Sequence, residues 1–74
     1  MNTHLDNGVG FAAISLLTGI EVAQILNVSR SFAYLLMERG EIPTVKIGRL
    51  VRVRPIDLES YIAANVRGNS ESAI

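Results

Sequence analysis

Apolar residues recur along this chain with two different periods. Between residues 18 and 40 they return every three or four positions, as on one face of a helix. Between residues 44 and 54 they alternate, as on one face of a strand. Thr18-Gly19-Ile20-Glu21 has the spacing of a capping box: the Thr hydroxyl caps the Glu21 amide and the carboxylate reaches back. Leu17 is placed to staple against Val22. With Ile20, Ala23, Ile25 and Leu26 at helical spacing, a first helix is predicted over about 19–26. Asn27 suits a left-handed helix end, and Ser29 is a good N-cap. A second helix then runs from Arg30 to about Arg39 and stops at Gly40. Ala33, Leu36, Met37 and Gly40 form its core stripe, leaving Phe32, Leu35 and Arg39 partly outside.

Two helices joined by about three residues have helix-turn-helix geometry, and equally that of any antiparallel helical hairpin. Thr44-Val-Lys-Ile47 and Val51-Arg-Val-Arg54 predict a β-hairpin. A three-residue loop, Gly48-Arg49-Leu50, would pair Ile47 with Val51 and Val45 with Val53, putting four apolar side chains on one face. That register also sets Lys46 beside Arg52, and Thr44 beside Arg54, on the outer face. Like charges directly opposite are unfavourable unless anions such as phosphates relieve them. A plainer reading is a charged edge guarding against aggregation. Pro55 opens a third helix, with Asp57 and Glu59 near its positive end. Its stripe is Leu58, Tyr61, Ile62 and Ala64 or Val66, and Gly68 is the expected stop.

Seventy-four residues, 49% hydrophobic and without cysteine, fit one small core and no disulfide framework. The formal charge is zero, which alone is no mark of a nucleic-acid partner. Its distribution changes the picture. Residues 27–56 hold six Lys or Arg against two Glu, an excess of four positive charges, and the remainder carries the opposite excess. A phosphate backbone responds to that local charge. The longest uncharged stretch, Asn7 to Ile20, is fourteen residues with three glycines, short of the roughly twenty a membrane span needs. No Lys or Arg precedes Arg30 to start a secretory signal. A cytoplasmic protein without membrane contact is expected.

Candidate chemistry is sparse. One histidine, His4, can build neither a metal cluster nor a catalytic triad. Asp57 and Glu59 point apart on a helix, so they are no carboxylate pair. An enzyme is not expected, and neither is a cofactor, a metal or a small-molecule ligand. The second helix offers Ser29, Arg30 and Ser31 at its amide-rich start, suited to phosphate, with Arg30 able to reach a guanine edge. Phe32 and Leu35 could meet thymine methyls or a partner protein, or pack beneath the wing or the N-terminal segment. The hairpin adds Lys46, Arg49, Arg52 and Arg54 as candidate DNA contacts.

Residues Leu16-Leu-Thr, Glu21-Val-Ala-Gln-Ile-Leu26, Val28-Ser-Arg-Ser31, Tyr34, Leu36, Gly40-Glu-Ile-Pro43, Lys46-Ile-Gly-Arg49, Val51-Arg-Val53 and Asp57-Leu-Glu59 occur in one order. Over roughly 16–64 the chain resembles the excisionase family of small winged helix-turn-helix proteins, related to the DNA-binding domains of MerR-type regulators. The resemblance implies an α+β fold, with two helices, a two-stranded wing and a C-terminal helix. It places the second helix in the major groove, with Arg30 and Ser31 near bases. The wing residues Lys46, Arg49 and Arg52 would lie on the backbone or minor groove. Such proteins bend attachment-site DNA, contact integrase to favour excision, and commonly self-associate on DNA. Phe32 and Leu35 depart from the polar residues usual there, as does the zero net charge from a basic norm. Both leave room for a protein that works mainly by gripping integrase. The expected organisation is an N-terminal segment 1–15, a winged domain 16–67 and a tail 68–74. The expected partners are double-stranded DNA and integrase. The alternatives are a small promoter-binding regulator and an integrase-docking module that has lost DNA contact.

Overall fold

The computed structural model describes residues 15–68. Most of the expected N-terminal segment and tail therefore lies outside the described residues. Within them run α1 (Gly19–Leu26), α2 (Arg30–Glu38), β1 (Val45–Ile47), β2 (Leu50–Arg52) and α3 (Pro55–Ala64). This is the expected α+β winged helix-turn-helix architecture.

The helix ends follow the sequence signals. The Thr18 hydroxyl accepts from the Glu21 amide at 3.1 Å, and the Glu21 carboxylate accepts from the Thr18 amide at 2.8 Å. Two otherwise orphaned donors are satisfied reciprocally. Asn27 closes α1 at φ 60°, ψ 46°. The amides of Asn27 and Val28 reach back to Gln24 and Ala23, completing a Schellman motif. Ser29 Oγ accepts from the Phe32 amide at 3.1 Å and starts α2. That helix ends in a second Schellman motif: Gly40, at φ 79°, donates to Met37, and Glu41 donates to Leu36. Pro55 starts α3, where its missing donor costs nothing.

The core is small and continuous. Val22 and Ala23 of α1 meet Ala33, Leu36 and Met37 of α2, with Ile42, Val53 and Leu58 closing it from below. Leu17, Leu26, Val28 and Tyr61 pack around its rim. Ile42, fully buried just before Pro43, is a core residue that periodicity did not reveal, because it belongs to neither helix nor strand.

Two expectations fail. The hairpin turns on two residues, not three: Ile47 pairs with Leu50, Lys46 with Val51 and Val45 with Arg52. Gly48 takes φ 62° while Arg49 stays in the negative range, the requirement of a hairpin turn with glycine first. Turn geometry outranked the segregation of apolar side chains onto one face. Val53 instead finds a partner outside the hairpin. It exchanges both main-chain hydrogen bonds with Leu17, at 2.8 and 2.9 Å. The third helix also stops earlier than Gly68. It ends at Ala64, where the Asn65 side-chain amide donates to the Tyr61 carbonyl at 2.8 Å. Val66 is therefore exposed, not in the stripe.

Candidate nucleic-acid interface

The N-terminal turn of α2 is where chain amides and side chains reach solvent together. Ser29, Arg30 and Ser31 are all exposed. The Ser29 hydroxyl oxygen accepts from the Phe32 amide as the cap, which fixes the side chain at the helix start and leaves its O–H to donate outward. Ala33, Leu36 and Met37 face the core. The opposite face then follows from helical spacing: Ser31, Leu35 and Glu38, at i, i+4 and i+7, form one exposed line. Phe32 lies on its flank. Phe32 and Leu35 are 45% and 41% exposed, so neither is absorbed beneath the wing. Glu38 was not legible as a site residue, because a carboxylate facing a nucleic acid runs against the charge argument; helical phase alone could have found it.

The wing packs beside this helix. Tyr34, Met37 and Glu38 of α2 face Thr44, Lys46 and Val51 of the hairpin across an open cleft of about 420 Å³. Tyr34, on the cleft rim, covers Gly19 with its ring.

The expected basic outer stripe is not formed. In the two-residue register Lys46 is opposite Val51 and turns to the cleft, while Arg52 is opposite Val45 on the other face. Their mutual repulsion, which pointed toward phosphates, is therefore absent. Arg52 donates to its neighbour's Val51 carbonyl at 2.9 Å. Arg54, just before α3, holds Asp57 in a two-pronged pair, Nε to Oδ2 at 2.6 Å and a second nitrogen to Oδ1 at 2.9 Å. The Arg54 hydrogen bonds hold the Asp57 carboxyl below its usual range, and the guanidinium is held protonated even more firmly in return. Arg39 pairs loosely with Glu41 at 3.6 Å. Among the described residues, Arg30, Lys46 and Arg49 make no ion pair. Arg30 marks the helix start, Lys46 the cleft and Arg49 the wing tip. These three cations are free to meet an anion without breaking an internal pair.

No group of three or more metal-ligating side chains occurs among the described residues. No helix among them is long and apolar enough to cross a membrane.

Comparison with known proteins agrees with the fold. Two curated relatives are each 45% identical to this chain over 42 residues. One is the candidate DNA-binding protein MT0521 of Mycobacterium tuberculosis strain CDC 1551, and the other the candidate DNA-binding protein Rv0500A of strain H37Rv. The match covers 57% of this chain and 54% of each relative, so the chain spans about half the length of the curated relatives it matches. No solved structure matches. The family profile described as a helix-turn-helix domain matches residues 16–66, which takes in the capped helices, the wing and α3. The chain belongs to this helix-turn-helix domain family.

Proposed function

We propose that this protein binds double-stranded DNA with α2 in the major groove and the wing alongside it. The observation that carries the reading is that α2 and the wing expose three cations, Arg30, Lys46 and Arg49, that make neither an ion pair nor a side-chain hydrogen bond among the described residues. Helix-start amides near Arg30 suit a phosphate. Ser31 sits where base edges would be, and Glu38 can accept from a cytosine amino group. Arg52 and Arg54 are secondary contacts in this reading, since each already spends hydrogen bonds inside the protein. The names of the two mycobacterial relatives point the same way.

The finer role we propose is that of an excisionase. The protein marks attachment-site DNA and grips an integrase so that excision replaces integration. It supplies no catalytic group, and self-association on adjacent sites fits that task. The resemblance of residues 16–64 supports it, and so do Phe32 and Leu35. Two large apolar side chains left open beside a DNA-facing surface suit a protein contact better than a base contact. A promoter-binding regulator would share the DNA surface but has no need of that patch.

The test is an excision reporter flanked by attachment sites, with the integrase supplied in the same cell. Arg30→Ala and Phe32→Ser should each reduce excision at least tenfold, the first with weakened DNA binding and the second without it. Full excision in both variants would sink the excisionase role. A reporter silent to the wild type, with promoter occupancy intact, would favour the regulator.

A further inference from the structure

The two-residue turn has an outcome at the wing tip that a basic stripe would not. A pleated ribbon sends alternate side chains to opposite faces. Thr44, Lys46 and Val51 face the cleft beside α2. Val45 with Arg52, and Ile47 with Leu50, therefore share the other face. Ile47 and Leu50 are directly opposite each other next to the turn, and they are 50% and 53% exposed. An isolated exposed aliphatic needs no explanation, but a cross-strand pair at the narrowest point of a hairpin does. Arg49 projects from the same turn with no internal partner.

Charge decides what such a tip would meet. Residues 44–54 carry Lys46, Arg49, Arg52 and Arg54 and no Asp or Glu. Arg52 shares the face of the apolar pair and Arg49 stands at the turn beside it, so the tip fits a polyanion with an apolar interior, which is stacked DNA. A two-residue turn puts the cross-strand pair beside it at the leading end of the hairpin. Side chains that enter the minor groove as wedges are typically Leu, Ile, Phe or Met.

We propose that the wing tip is a wedge. Ile47 and Leu50 enter the minor groove of the bound duplex beside Arg49 and unstack a single base step, bending the DNA. Arg49 lies along the groove floor or wall, where negative potential is strongest when the groove is narrow. The wedge rests on the DNA-binding reading above and deepens it, since it assigns the wing a mechanical task separate from the base contacts of α2.

The experiment uses the full chain and duplexes enriched from a randomised library by the wild type. Each duplex carries end-to-end energy-transfer labels, and 2-aminopurine is stepped through the site. The wild type should shorten the end-to-end distance and raise 2-aminopurine emission at one step. Ile47→Thr/Leu50→Thr should abolish both signals and weaken binding at least tenfold, with the salt slope unchanged. Threonine keeps the strand preference, and both positions are exposed, so the fold should persist; circular dichroism checks it, and Leu50→Gln alone serves as the milder variant. Arg49→Ala should lower the salt slope by about one. A folded double variant that bends DNA like the wild type would overturn the wedge while leaving DNA binding intact. So would a wild-type dimer in sedimentation that the double variant dissolves without changing the bend. If no duplex is enriched, the DNA-binding reading fails first, and the wedge falls with it.

Discussion

The main chains of Leu17 and Val53 exchange a reciprocal pair of hydrogen bonds, tying the segment before α1 to the residue that follows β2. Thirty-six positions of sequence separate them, and the whole helix-turn-helix lies between. The wing is thus held to the helices by a third, one-residue rung as well as by the buried Val53 side chain. Val53→Ala should cost about 2 kcal/mol through lost burial and an unfilled cavity. Leu17→Pro, which removes a donor facing a main-chain carbonyl, should cost about 1–3 kcal/mol. Urea denaturation midpoints measure both, and unchanged midpoints would show that the rung contributes nothing.

Gly19 and Tyr34 form a second close relationship. A Cβ on Gly19 would stand 2.6 Å from the Tyr34 ring Cζ and 2.9 Å from its hydroxyl. Such a contact forces the ring away. Gly19→Ala should therefore destabilise by about 1–2 kcal/mol, at the low end for overpacking because the ring is half-exposed and can swing out. In a Tyr34→Ser background the same substitution should cost almost nothing. Equal costs in both backgrounds would refute the contact as the cause.

The two N-caps should separate stability from function. Thr18→Ala and Ser29→Ala should each cost about 1 kcal/mol. Thr18→Ala and Glu21→Ala should be non-additive, because either one dismantles the same reciprocal pair. Only Ser29→Ala, at the start of α2, should also weaken DNA binding. Thermal melts and binding isotherms on the same samples check this, and additive loss at Thr18 and Glu21 would contradict a capping box.

The Arg54–Asp57 pair sets a pH dependence with a defined sign. Asp57 has its pKa lowered in the folded protein by the Arg54 hydrogen bonds. Its contribution is therefore complete above the unfolded carboxylate range and fades as pH falls through the lower folded value. The Asp57 carboxyl chemical shift should titrate below the usual aspartate range, and Arg54→Met should move the midpoint up. Asp57→Asn should release the Arg54 guanidinium and tighten DNA binding several-fold at low salt. A titration midpoint unaffected by Arg54→Met would dismiss the pair as the cause.

The boundaries and caps of α1 and α2 and the α2 core stripe are legible because each is set by neighbouring residues: Thr18 with Glu21, Ser29 with the Phe32 amide, Gly40 with its left-handed backbone. The hairpin register was not, because two local preferences competed. Gathering Val45, Ile47, Val51 and Val53 on one face argued for three loop residues, while Gly48 first in the turn argued for two. The turn prevails, and Val53 finds its main-chain partner in Leu17, a pairing that no periodicity within 44–54 contains. The error carried into the site. The supposed facing of Lys46 and Arg52 disappeared, and an apolar Ile47–Leu50 tip took its place. Among the described residues the candidate cations Arg30 and Arg49 make no ion pair, whereas Arg54 is held by Asp57 three residues on.

The central claim is that the unpaired cations of α2 and the wing meet a DNA backbone. Fluorescence anisotropy tests it most directly, with a labelled duplex from the DNA flanking the coding region, a scrambled control and several salt concentrations. Tighter binding to the native duplex is expected, with a salt slope of a few phosphate contacts. Arg30→Ala, Lys46→Ala and Arg49→Ala should each lower that slope by about one. No binding at low salt, or a slope indifferent to all three substitutions, would contradict it.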